Sequence, residues 1–189
     1  MITSELFGTA PCGTPVHRYT LNGPEICVRI MDYGATVLGI DVPDIPGNVR
    51  DVVLGYDNIA QYADRINFGS DFGAAIGRYA NRINKGQITV DGKTIQLPQN
   101  NYGHCLHGGP TGWQYKVYDG RQLNDSTLQM TVFSPDGDNN FPGAVTATVT
   151  CTLTHDNAID IRYEATTTKK TVINMTNHSY FNLNGDPSH

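Results

Sequence analysis

Ala144-Val145-Thr146-Ala147-Thr148-Val149-Thr150-Cys151-Thr152-Leu153-Thr154 alternates without a break: every odd position from Val145 to Leu153 is apolar, and every even position from Thr146 to Thr154 is threonine. Side chains of an extended strand point to opposite faces in turn, so this stretch makes one face oily and the other wet. The stretch that follows repeats the device across a His155-Asp156-Asn157 turn. Ile159, Ile161 and Tyr163 fall on one side, and Asp160, Arg162 and Glu164 fall on the other as solvent-facing charges. Together the two read as an antiparallel hairpin with one face on a core.

Working outward, Gln87-Ile88-Thr89-Val90 and Lys93-Thr94-Ile95-Gln96-Leu97 flank Asp91-Gly92, a pair that tolerates the positive φ angles of a tight type I′ turn, and so predict a second hairpin. Further β-like runs lie at 25–32, 35–42, 51–56, 114–119 and 127–134, separated by Gly, Pro, Asn and Asp, while only 58–65 suggests a helix. Many short strands with almost no 3.6-residue periodicity predict an all-β fold, an antiparallel β-sandwich or barrel. No repeat, linker or low-complexity segment divides the chain, so residues 1–189 read as a single domain. A segment rich in functional groups, 174–183, lies close to His189, where a last strand would need a partner to cover its edge. The sequence therefore reads as the N-terminal portion of a longer protein.

Composition narrows the function. The chain has 39% hydrophobic and 16% charged residues, with 20 Gly and 10 Pro, which excludes coiled coil, collagen and disorder. No apolar run approaches the ~20 residues of a bilayer helix, and Met1-Ile2-Thr3-Ser4-Glu5 lacks the basic start of a secretory signal. The net charge is −5 and the basic residues form no cluster, so neither nucleic acid nor a membrane is expected as a partner. Cys12, Cys27, Cys105 and Cys151 are scattered without the paired spacing of a zinc or redox site. Reduced, mostly buried thiols and a cytoplasmic location are the expectation.

Three segments stand out from the β background. Gly77-Arg78-Tyr79-Ala80-Asn81-Arg82-Ile83 joins two guanidinium groups to a carboxamide, types suited to gripping vicinal hydroxyls, though the arginines equally fit ion pairs on a solvated face. Asn101-Tyr102-Gly103-His104-Cys105-Leu106-His107-Gly108-Gly109 sets two histidines against a glycine pair that lets backbone approach a ligand. A surface His104 and a turn-capping His107 fit the same spacing. In 171–185, an extended chain would put Asn174, Thr176, His178, Tyr180 and Asn182 on a ligand face, with Ile173, Met175, Phe181 and Leu183 as the anchor. There is no P-loop, dinucleotide fingerprint or Gly-x-Ser-x-Gly elbow. What remains is acid–base work on a small polar molecule by His107 and His178, with no cofactor and no metal.

Those segments, with Ser134-Pro135-Asp136-Gly137 and Phe141-Pro142-Gly143, follow one another in an order that resembles the aldose 1-epimerases, also called galactose mutarotases. The resemblance implies a galactose-mutarotase-like supersandwich, incomplete in this chain, that binds an aldohexose in an open cleft and interconverts its α and β anomers. It implies that His178 is the general acid toward the ring oxygen and that His107 assists by hydrogen bonding. Asn81 and Arg82 would hold hydroxyls, with Asn177 and Tyr180 as further sugar contacts. The family's general-base glutamate and a sugar-binding aspartate have no counterpart here and are expected beyond residue 189, so these residues alone are expected to be inactive. Trp113-Gln114 stands where the family commonly has an aromatic followed by an acid. A non-catalytic sugar sensor, an epimerase of hexose 6-phosphates using Arg78 and Arg82, and a metal-dependent isomerase using His104 and His107 are the competing readings.

Overall fold

The computed structural model describes residues 1–44 and 47–185. In chain order, β1 (Ile2–Thr9), β2 (Pro15–Asn22), β3 (Cys27–Met31), β4 (Thr36–Pro43) and β5 (Val49–Asp51) form one sheet, each strand beside the next. A short helix α1 (Ile59–Ala63) follows, then β6 (Ala75–Ile76), β7 (Arg82–Ile83), β8 (Gln87–Val90), β9 (Lys93–Gln96) and β10 (Cys105–Leu106). The second large sheet is β11 (Asp119–Gln122), β12 (Thr127–Ser134), β13 (Val145–Leu153) and β14 (Ile159–Thr167), again in sequence order. β15 (Thr176–Asn177) closes the series against β6. Every ladder between these strands is antiparallel.

The two large sheets are the layers of a sandwich because their inner faces share one core. Leu21, Val28, Ile30, Val37 and Ile40 come from the first, and Leu128, Met130, Val149, Cys151 and Leu153 from the second. The predicted alternation holds in β13, where the odd positions are all buried, and β14 pairs with it from Val145↔Thr167 to Leu153↔Ile159. Asp160, Arg162 and Glu164 are exposed, and Arg162 donates to Glu164 at 2.8 Å. The hairpin of β8 and β9 also forms as read, with Asp91 and Gly92 at φ 49° and 74°. Asn58 caps α1 by accepting from the Gln61 N–H at 3.1 Å. Among the described residues no helix is long and apolar enough to cross a membrane.

Several expectations are corrected. β1 and β2 carry no alternation that announces them; β1 is an edge strand, largely exposed, with a register shift between Leu6 and Gly8. The run at 51–56 is strand only through Asp51, and the run at 114–119 begins as a 3₁₀ turn over Trp113–Tyr115. Segment 171–185 is a strap rather than a continuous strand. It pairs with β6 over two residues and then crosses to β5's extension, where Val53 bridges Phe181 and Leu54 N–H donates to the Tyr180 carbonyl at 2.9 Å. Of its expected anchors only Met175 packs on the core, while Ile173, Phe181 and Leu183 are exposed. Of the four thiols only Cys105 and Cys151 are buried; Cys12 is exposed and Cys27 half-buried.

Candidate active site

The strap and the 69–72 segment leading into β6 line an open cleft of about 640 Å³, within the usual range for small-molecule sites. Gly73, just before β6, lets the chain lie against β4: a Cβ there would lie 2.0 Å from the Val37 carbonyl oxygen, and its φ of 69° suits glycine. From that point His178 is fixed through its backbone, its N–H donating to Ala74 O at 2.8 Å and its carbonyl accepting from Gly73 N–H at 3.1 Å.

The second wall comes from a tertiary pairing of the two other segments. β7 and β10 form a two-residue ladder, Leu106 opposite Arg82, which brings Asn81 beside His107. The contact is reciprocal: the His107 N–H donates to Asn81 O at 3.2 Å, and the Asn81 N–H donates to His107 Nδ1 at 3.0 Å. A main-chain N–H can only donate, so Nδ1 is unprotonated and the neutral ring carries its proton on Nε2. Burial, followed by the neighbouring His178 and Arg82, pushes the His107 pKa down to about 4. Asn81 and His107 hold left-handed backbone, φ 66° and 51°. Gly108 beside them has φ 79° and no room for a Cβ, which would sit 2.2 Å from Gly77 O.

His178 meets His107 edge to face, ring centroids 5.0 Å apart at 89°, and lies 5.3 Å from the Tyr180 ring. Tyr180 in turn meets Phe72 at 5.3 Å. The Nδ1 of His178 is buried without a hydrogen-bond partner among the described residues. Of the expected ligand face, Thr176, His178 and Tyr180 line the cleft with Asn81, Arg82 and His107. Asn174 instead bridges Tyr79, and Asn182 lines a separate cleft. Asn177 also stays out, its amide donating to Gly73 O at 2.8 Å and its Oδ1 accepting from Ser179 N–H at 2.9 Å. His104 does not line the cleft, since its Nδ1 accepts from the Lys85 N–H at 3.1 Å. Among the described residues no three His, Cys, Asp or Glu side chains converge as a metal site.

The two arginines of one motif separate. Arg82 is exposed, its Nε donating to Asn101 Oδ1 at 2.9 Å. Arg78 is 2% exposed and donates to Ser134 Oγ, Ser134 O, Pro135 O and Pro142 O at 2.8–3.1 Å, pinning the 134–142 loop behind the cleft. A phosphate-binding role shared by both is therefore corrected: Arg78 is walled in by carbonyls.

The sequence reading missed Asp71. It is the one acidic residue between Arg65 and Asp91, in a glycine-rich run before the first motif, and that isolation was the available signal. It lines the cleft with φ 51°, and its Oδ1 accepts from the Tyr115 hydroxyl at 2.9 Å. Burial raises its pKa, against the Tyr115 hydroxyl, His178, Arg65 and the Gln114 carboxamide, which all favour the charged form. Arg65 lies over the Tyr115 ring at 4.3 Å. The second cleft, about 370 Å³, is lined by neither histidine; there Arg29 is bound to Asp41 and Asp51, and Arg18 to Glu5.

The sequence matches the family model described as Aldose 1-epimerase over residues 17–189. It is 43% identical over 180 residues to an aldose 1-epimerase of Escherichia coli K12, covering 95% of this chain and 51% of that one. It is 37% identical over 188 residues to a galactose mutarotase of Sus scrofa, covering 99% and 54%. The structure superposes on a galactose 1-epimerase from Lactobacillus acidophilus with a TM-score of 0.84 at 27% identity, over 97% of this chain and 53% of that one. The chain thus spans about half the length of the curated relatives it matches.

Proposed function

This chain belongs to the aldose 1-epimerase family, and on that premise we propose that it carries the acid side of a site interconverting the α and β anomers of an aldohexose. His178 is assigned as the general acid that gives a proton to the ring oxygen while a base takes the proton of the C1 hydroxyl. The C1–O5 bond breaks to the open-chain aldehyde, C1 turns about its bond to C2, and the hydroxyl re-adds to the other face with the proton transfers reversed. His107 is assigned as a fixed donor through Nε2–H, and Arg82, Asn81 and Tyr180 as sugar contacts. Asn177 is assigned a positioning role, because both ends of its amide engage backbone. The base is assigned to a glutamate outside these 189 residues. A cytoplasmic setting accords with the scattered thiols.

The asymmetry of the two histidines supports this reading most directly. They meet in one cleft, yet the Asn81 N–H fixes His107 as a neutral donor, leaving His178 as the imidazole not tied to a backbone donor. Acid–base work on a sugar needs an acid and a base that exchange protons and other groups that only orient, and His107 is of the second kind.

Polarimetry of freshly dissolved α-D-galactose tests it. These 189 residues alone should leave the spontaneous rate unchanged, whereas a chain extended to the length of its relatives should accelerate it. In that longer chain His178→Asn should lower turnover on the order of 10²-fold or more while sugar affinity persists. Acceleration by the 189 residues themselves would refute the assignment of the base. Affinity with no turnover in the longer chain would mark a sugar-binding protein.

A further inference from the structure

The donors in the cleft have a counterpart that the family motifs do not name. Arg82 and the Nε2–H of His107 can only donate, whereas each sugar hydroxyl both donates and accepts. Among the described residues lining the cleft, Asp71 supplies the only carboxylate. Its backbone is anchored next to the acid: the Asp71 carbonyl accepts from the Ala74 N–H at 3.2 Å, and Ala74 O accepts from the His178 N–H. Its side chain is aimed by Tyr115, whose hydroxyl donates to Oδ1 at 2.9 Å.

We infer that Asp71 is a specificity-determining residue that accepts hydrogen bonds from hydroxyls of the bound sugar. This deepens the reading of the cleft as a hexose site and rests on it. A carboxylate offers two oxygens and about four lone-pair directions, so the Tyr115 hydroxyl leaves capacity for a ligand. Held by the Tyr115 hydroxyl in a half-buried wall, the acceptor is oriented before the sugar arrives, and a bond from a hydroxyl to a charged acceptor is stronger than one between neutral groups. A sugar lacking that hydroxyl would leave the carboxylate desolvated and short of a donor, which gives the site its discrimination.

The test compares D-galactose with its 2-, 3-, 4- and 6-deoxy derivatives by calorimetry or saturation-transfer NMR. The purified protein, in the longer chain used above, should bind at least one deoxy sugar about 10- to 100-fold more weakly than galactose. Asp71→Asn should lose about the same factor toward galactose and no longer distinguish that deoxy sugar. Tyr115→Phe, which keeps the carboxylate, should retain the discrimination. A readout that needs no variant is the Asp71 carboxyl ¹³C signal, which should move with galactose and not with the discriminated analogue. An unchanged deoxy pattern in Asp71→Asn, or a carboxyl signal indifferent to the missing hydroxyl, overturns the assignment while leaving the hexose site standing. Failure of the unmodified protein to bind any of these sugars overturns both.

Discussion

The hairpin of β13 and β14 and the strap over 171–185 are both extended chain, and they are built on opposite rules. In the hairpin each strand finds its partner next in sequence, and the ladder runs nine pairs without interruption. In the strap only two residues form a ladder; its other backbone groups reach Arg78, Ala74, Gly73, Leu54 and Val52, about a hundred residues or more away. The hairpin strands contain no left-handed residue, whereas the cleft holds Asp71, Asn81 and His107 in that conformation. Such backbone costs on the order of 1 kcal/mol per residue outside glycine, so it persists only where surrounding contacts impose it. Regular alternation makes the core. The proposed site lies where alternation is abandoned and distant segments hold each group in place.

The sharpest way to break that contrast is to attack the hairpin's parity. Val149→Asp would place an unpaired carboxylate among Met130, Cys151 and Leu128 in the shared core. Burying a charge there costs several kcal/mol, a large part of the roughly 5–15 kcal/mol that holds a domain together, so no cooperative transition should remain in thermal circular dichroism. Thr146→Glu, on the exposed face three positions earlier, should change stability by about 0.5 kcal/mol or less. A melting curve for Val149→Asp like that of the parent protein would end the sandwich assignment of this face.

A smaller effect should separate the two arginines of the first motif. Arg78→Met removes the donors that satisfy Ser134 O, Pro135 O and Pro142 O in a site almost closed to water. Stranding those carbonyls should cost about 3 kcal/mol, read as a lower denaturant midpoint. Arg82→Met removes an exposed side chain bonded to Asn101, and should shift the midpoint by no more than about 0.5 kcal/mol while weakening galactose binding. Equal destabilisation by both would erase the distinction between the residue that pins the 134–142 loop and the one that lines the cleft.

These tests also mark what the sequence could tell. The period-two pattern of β13 and β14, the Asp-Gly turn at 91–92 and the short helix within 58–65 are local physics, settled within a few residues, and they were legible. β1 was not, since a mostly exposed edge strand with an offset at Leu6 and Gly8 never buries alternate side chains. Arg78 and Arg82 look alike in the chain; the loop at 134–142, more than fifty residues away, separates them. The reciprocal bond between Asn81 and His107 spans 26 residues, and Asp71 gains its meaning from Tyr115, 44 positions on. A family resemblance pointed to His107 and His178. It gave no hint of Asp71, whose role depends on where the chain comes back.

The mildest prediction concerns acid. His107 is neutral in the fold because its Nδ1 accepts the Asn81 N–H, and its pKa lies near about 4, while an unfolded chain would give its imidazole ~6.5. Between those values the unfolded state binds the extra proton, so the contribution of His107 to stability is fully present above the unfolded value, falls as pH drops through the window, and is exhausted below about 4. Asp71 and Asp32, whose carboxyls burial pushes upward, take up protons more readily in the fold than out of it and act in the opposite sense. A comparison at fixed pH removes them. His107→Asn keeps an oxygen able to accept the Asn81 N–H and tolerates left-handed backbone, but it cannot titrate. The ring is only partly shielded from solvent, so the effect at pH 5 is discounted to about 1 kcal/mol, or roughly 2–4 °C in melting temperature for a chain of this size. The parent protein should therefore lose that much more than His107→Asn when the pH is lowered from 7 to 5. Parallel losses in the two would show that His107 is protonated in the fold, and with that the division of labour between the two histidines would fall.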